Sequence, residues 1–124
     1  GDAEMVSVTF NQIKTMKEIA HIKGLKSLFL DNNQLESLEG VEDMTELKEL
    51  YVQANQLVSI KPIEKLTGLN ELYCSDNNLS SFDGLTEDHS DNLRFFVCLP
   101  NDGIKQREVI RVENTLGIKC RGVN

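Results

Sequence analysis

The stretch Leu47-Lys48-Glu49-Leu50-Tyr51-Val52-Gln53-Ala54-Asn55-Gln56-Leu57 sets apolar side chains at 47, 50, 52 and 57 around an asparagine at 55. The same frame stands one 22-residue period earlier as Leu25, Leu28, Leu30, Asn33 and Leu35, and one period later as Leu69, Leu72, Cys74, Asn77 and Leu79. Upstream, Val6, Val8, Asn11 and Ile13 fill the same slots, with Ala3 in the first. Each frame runs on with apolar residues at intervals of three: Met16, Ile19, Ile22; Leu38, Val41, Met44; Ile60, Ile63, Leu66; Phe82, Leu85. A fixed period of this size marks a solenoid, in which each repeat buries its apolar face only against its neighbours.

Each half of the repeat has its own physical reading. Leu28 and Leu30 alternate in and out with the residue between them, the period of a short strand. Stacked repeats place such strands side by side as a parallel sheet with a spacing of about 4.8 Å. The asparagine follows at the turn out of the strand. An inward amide offers two donors and two lone pairs, enough to bond backbone groups of its own turn and of the next. Asn11, Asn33, Asn55, Asn77 and Asn101 are therefore expected to form a ladder. The second half is too short for a long helix, and its three-residue spacing suits a 3₁₀ or single α turn on the convex side.

The pattern L-x-x-L-x-L-x-x-N-x-L resembles the leucine-rich repeat over roughly residues 3–104 of 124. The 22-residue form is similar to the short repeats of bacterial internalins and of the type-1 phosphatase regulatory subunit. The resemblance implies an α/β fold: a right-handed solenoid with about five parallel strands on the concave face and short turns outside. It also implies a binding module whose partner is chosen by the variable outward residues. The repeats are expected at 3–24, 25–46, 47–68, 69–92 and, in part, 93–104, with a cap at 105–124, all in one domain. The fourth repeat is longer than the others, and its extra pair falls in the polar run Thr86–Asn92, expected to be a bulged convex loop. Val109, Val112 and Leu116 recur at helical spacing before Gly117, predicting a C-terminal cap helix over Ile104–Leu116 that stops at the glycine.

Charge is uneven. Residues 1–92 hold 7 Lys/Arg against 17 Asp/Glu, and residues 93–124 hold 6 against 3, balances of −10 and +3 within a net −7. An acidic solenoid repels nucleic-acid phosphates, so no nucleic-acid partner is expected. Lys105, Arg107, Arg111, Lys119 and Arg121 read as the solvated face of the cap, with an anionic partner as the alternative. No apolar stretch reaches the roughly 18–20 residues that a membrane span needs, and no basic-then-apolar leader opens the chain. Gly1 in place of an initiator Met points to a processed or trimmed chain, or to a piece of a longer one. A monomer is expected. Cys74 and Cys98 occupy inward slots on neighbouring strands; reduced thiols are expected there, although a disulfide is conceivable, and Cys120 is expected exposed in the tail. Three cysteines lean toward a reducing, cytoplasmic setting, with a secreted or surface protein as the alternative.

Outward strand positions are not used by the fold, so their content is informative. The residue between the inward pair runs Ser7, Phe29, Tyr51, Tyr73, Val97. A row of rings has no core to fill there, and Tyr offers stiff contact area with a polar tip. Glu49 and Glu71 flank the row on one side, and Asp31, Gln53, Ser75 and Asp76 on the other. Phe29, Tyr51 and Tyr73 are thus expected to anchor a protein partner, with Glu49, Glu71, Asp31, Gln53 and Asp76 setting specificity. Alternatively the rings stack across strands and stabilise the sheet. Phe95 and Leu99 either extend the patch or lie under the folded-back tail. Two further functions stay open: the recognition segment of a larger bacterial effector or enzyme, and a structural spacer. Catalysis and cofactor binding are not expected. His21 reads as a surface residue, His89 lies in a polar loop with metal-ligand residue types but no fixed spacing, and no phosphate-cradling glycine run or Ser/His/Asp cluster appears.

Overall fold

The computed structural model describes residues 4–9 and 11–123, which leaves the Ala3 slot outside the described residues. Six short strands form one parallel sheet in chain order: β1 (Met5–Ser7), β2 (Ser27–Phe29), β3 (Glu49–Tyr51), β4 (Glu71–Tyr73), β5 (Phe95–Leu99) and β6 (Cys120–Gly122). The first four strands hold a strict 22-residue register: Val6, Leu28, Leu50 and Leu72 are successive partners, and Phe96 follows. The sheet continues beyond the strands, with Leu30 N–H donating to Tyr51 O, Val52 to Tyr73 O and Cys74 to Val97 O, each at 2.8 Å. Leu28, Leu50, Leu72, Leu30, Val52 and Cys74 are wholly interior, stacked against Leu35, Leu57 and Leu79 of the outgoing turns. Burying each such side chain stabilises the fold by about 1.5–3 kcal/mol before entropy is counted.

The asparagine ladder runs through four of its five expected members. Asn55 Nδ2 donates to Leu30 O and Val52 O, both at 3.0 Å, while its Oδ1 accepts from Leu35 N–H at 2.9 Å. Asn77 repeats this on Val52 O, Cys74 O and Leu57 N–H. Asn101 takes Cys74 O, Cys98 O and the Leu79 N–H. Asn33 bonds Val8 O, Leu30 O and Ile13 N–H. Asn11 departs from the expectation. It is exposed and, among the described residues, accepts only from the neighbouring Gln12 N–H. The reason is geometric: each rung reaches back to a carbonyl of the preceding coil, and among the described residues no coil precedes Asn11.

On the convex side, 3₁₀ turns occupy Val41–Asp43, Lys61–Ile63 and Glu87–His89. The third differs from its expectation as a solvated loop, because His89 is fully buried. Thr86 N–H donates to His89 Nδ1 at 3.1 Å, and Nε2 stands 3.1 Å from Ile63 O. With Nδ1 accepting, Nε2 carries the proton and donates to that carbonyl, so the imidazole ties the long repeat to the one before it.

The end of the chain also does more than cap. Helix α1 (Gln106–Arg111) starts two residues after the expected Ile104 and widens into a π turn over Val112–Leu116. Gly117 ends it at φ 73°, as its place after the helix predicts. Val112 and Ile118 close the open core. Glu108 fastens the helix to the repeats, accepting from Phe82 N–H at 2.7 Å. Arg111 binds the same carboxylate at 2.9 Å and holds it below the usual carboxylate range. The chain then returns as β6, a sixth strand where about five were expected. Three residues without the repeat frame carry no periodic signal. Cys98 is the extra residue of a bulge, between the pairs Val97–Arg121 and Leu99–Gly122.

Candidate functional site

The alternation of each strand sends Leu28, Leu50 and Leu72 inward, so the residues on either side face the hollow of the arc. Two side-chain columns cross the sheet there, both fixed by register: Ser27, Glu49, Glu71, Phe95 and Ser7, Phe29, Tyr51, Tyr73, Val97, Arg121. The three rings touch one another. Phe29 meets Tyr51 edge to face with centroids 4.8 Å apart, and Tyr51 lies flat on Tyr73 at 4.1 Å with 12° between planes. All three are half-buried, so each keeps surface toward solvent.

Polar side chains tie neighbouring strands along the rim. Ser27 Oγ donates to Glu49 Oε1, and Tyr51 Oη donates to Glu71 Oε1. Partial burial, together with the Glu71 carboxylate at its hydroxyl, pushes the Tyr51 phenol well above its usual range. Losing the proton there would set a phenolate against a carboxylate, so Tyr51 is a donor throughout neutral pH.

On the far side, Asp31 Oδ2 accepts from Asn32 Nδ2 at 3.0 Å, and Gln53 Oε1 is enclosed without a donor. Asp76 is exposed at the following turn, where Asn32, Ala54 and Asp76 all adopt left-handed backbone, with φ of 60°, 58° and 56°. Ser75 is buried. The residues singled out from sequence thus share one face, with Phe29, Tyr51 and Tyr73 in contact and Asp76 standing off at its edge.

Toward the C-terminus the two alternatives for Phe95 and Leu99 both hold in part. Strand β6 pairs alongside β5, and Arg121 extends over the Phe95 ring, its guanidinium carbon 5.2 Å from the centroid. Val97 is buried beneath this end while Phe95 keeps 43% of its surface. Arg121, which sequence alone groups with the basic cap cluster, belongs to the concave face instead. Ser27 escapes the sequence reading, although its place one repeat before Glu49 marks it as that residue's sheet neighbour.

The thiols follow the column as well. Cys74 and Cys98 are buried and unbridged, and Cys120 is half-buried rather than exposed. Burial raises Cys74; the Cys120 sulfur beside Cys98, and then burial, raise Cys98. The Cys98 thiol in turn lowers Cys120.

The remaining surface offers little chemistry. His21 is exposed, and both nitrogens of His89 are engaged. No group of three or more His, Cys, Asp or Glu among the described residues is placed to hold a metal. A convex groove of about 610 Å³ lies between Glu36–Asp43 and Ser59–Lys65. Its charges are mixed, and Lys61 is already engaged with Glu64 at 3.0 Å and Asp83 at 3.9 Å. No described helix is long and apolar enough to cross a membrane.

Residues 45–87 match the family described as Leucine Rich repeats (2 copies). No curated protein matches the chain by sequence. Among solved structures it is similar to an internalin (inlF) from Listeria monocytogenes, with 20% identity and a TM-score of 0.72 over 97% of this chain and 36% of that one. It is also similar to an internalin C2 (inlC2) from Listeria monocytogenes, with 18% identity and a TM-score of 0.64 over 96% of this chain and 61% of that one. At such identity the likeness is one of fold, and the chain spans little more than a third and three-fifths of those two proteins. The periodic frame, the parallel sheet with asparagine rungs and the match over residues 45–87 converge on one fold: the chain folds as a leucine-rich repeat solenoid.

Proposed function

We propose that the domain is a non-catalytic recognition module that seats a protein partner in its concave face. Phe29, Tyr51 and Tyr73 serve as anchors, and Glu49, Glu71, Asp31, Gln53 and Asp76 decide which partner fits. One observation carries this reading: three contiguous rings stand on the solvent side of the sheet, half-buried and rimmed by carboxylates. An apolar strip inside a polar rim is the layout of a protein interface, and aromatic side chains dominate the energy of such interfaces. The reading holds equally if the domain is the recognition segment of a longer protein. Mutual stacking of the rings favours a second reading, in which they serve the sheet alone; cross-strand pairs of this kind are each worth roughly 0.2–1 kcal/mol.

Capture by the immobilised chain separates the two. Tyr51→Ala with Tyr73→Ala is expected to lose the proteins that the unchanged domain retains, with the circular dichroism spectrum nearly unaltered. Glu39→Lys with Lys65→Glu, on the convex side, is expected to keep them. Retention by the tyrosine variant would leave the rings with a structural role only.

A further inference from the structure

We propose that the group received by the concave face is a guanidinium, so that the partner segment seated there presents arginine. The proposal rests on the reading that this face binds a protein and names the chemistry that it selects.

The first argument is charge left without an answer. Glu49 and Glu71 are register partners on neighbouring strands. Like charges directly opposite one another destabilise a sheet, and neither carboxylate has an ion-pair partner among the described residues. The chain's own cations are turned elsewhere. Lys26 pairs with Glu4 at 3.6 Å, the Lys48 ammonium lies against Gly68, and Arg121 is spent on Phe95. No Lys or Arg occurs in the strand segments 27–31, 49–53 and 71–75. A cation from outside would relieve the repulsion and gain two carboxylates.

The second argument is hydrogen-bond polarity. Each of the two carboxylates is held by Oε1 alone, one by Ser27 and the other by Tyr51, and Oε2 of each has no protein donor among the described residues. Gln53 Oε1, one column across, is likewise an acceptor without a donor. Glu49 Oε2, Glu71 Oε2 and Gln53 Oε1 are all acceptors, so a group with donors only complements them; the buried donor left without a partner, Arg121 Nε, lies two strands from Glu71, on β6. Arginine fits better than lysine. Its planar fork of five N–H groups can bridge two carboxylates set one strand apart, about 4.8 Å. A weakly hydrated guanidinium plane also stacks on an aromatic face more readily than a compact ammonium does. The two hydroxyl tethers fix the carboxylate positions beforehand, so less ordering is needed on binding.

The protein carries no tryptophan and only two tyrosines, Tyr51 and Tyr73, so its intrinsic tyrosine emission reports on this face alone. Titration with a blocked tetra-arginine peptide is expected to change that emission with a Kd at least tenfold lower than for tetra-lysine. Glu49→Gln with Glu71→Gln is expected to weaken tetra-arginine binding at least tenfold. Glu36→Gln with Glu39→Gln, which removes the same charge from the convex side, is expected to leave it within twofold. Thermal unfolding of the unchanged protein gives a reading free of substitution, since tetra-arginine should raise the midpoint and tetra-lysine should not. Equal binding of the two peptides, equal loss in both glutamine pairs, or no binding at all would overturn the proposal. If tetra-arginine fails while capture is still lost in the tyrosine variant, the face binds a partner of other chemistry. If capture survives in that variant too, the concave reading falls with it.

Discussion

An amide side chain buried at a strand end has no water to satisfy it, so its worth lies in the backbone groups that it reaches. Asn55 serves two carbonyls, Leu30 O and Val52 O, and one amide, Leu35 N–H, across two coils. Asn55→Ala is expected to destabilise the domain by about 1–3 kcal/mol for each group left unpaired, read as a fall in the urea midpoint. Asn11→Ala is the counter-case. The residue holds the same slot in the 22-residue frame, but among the described residues its only partner is the adjacent Gln12 N–H, and its side chain is wet. Its replacement should shift the midpoint by less than about 0.5 kcal/mol, as for an ordinary surface substitution. The pair separates what the motif letter carries from what a preceding coil adds to it.

At the scale of the element, close approach between neighbouring coils sets the limits. Gly84 sits at φ 113°, and a Cβ there would stand 2.8 Å from Ile60 O and from Lys61 Cα. Both obstacles are backbone of the preceding repeat and cannot swing aside. Gly84→Ala should therefore cost on the order of 1–3 kcal/mol, checked by thermal unfolding, and loosen the packing beneath Phe82. The strands, their register and the convex turns were legible because a 22-residue frame repeats every contact that it makes. The facing of Phe29, Tyr51 and Tyr73 followed from two-residue alternation alone. What the frame does not repeat was not legible. His89 sits in a polar run, yet reaches the interior because a carbonyl of another repeat, Ile63 O, awaits it. Strand β6 follows a helix and has three residues, too few for any period to show. The ties from Ser27 to Glu49 and from Tyr51 to Glu71 depend on rotamers chosen between strands, which no pattern along one strand encodes.

The whole molecule is a row of units, each in contact with the next, and its stability is distributed accordingly. Stability in such an array is roughly a sum of unit and neighbour terms, so the ends open more easily than the middle. Strands β3 and β4 have a partner on both sides, whereas among the described residues β1 and β6 are paired on one side only. Amide exchange is expected to be slowest at Leu50, Val52, Leu72 and Cys74, and roughly tenfold or more faster at Val6 and Arg121. Uniform protection across the sheet would instead mean that the array opens only as a single unit.

The long fourth repeat shows where such a scaffold stores change. Its surplus pair is absorbed between Thr86 and Asn92, and Tyr73 still lies beside Val97 as Tyr51 lies beside Tyr73. Outer-arc length and inner-arc pitch are therefore separate variables. A graft inserted at that bend, such as a tag or a reporter loop, can lengthen the rim while the inner lattice keeps its spacing.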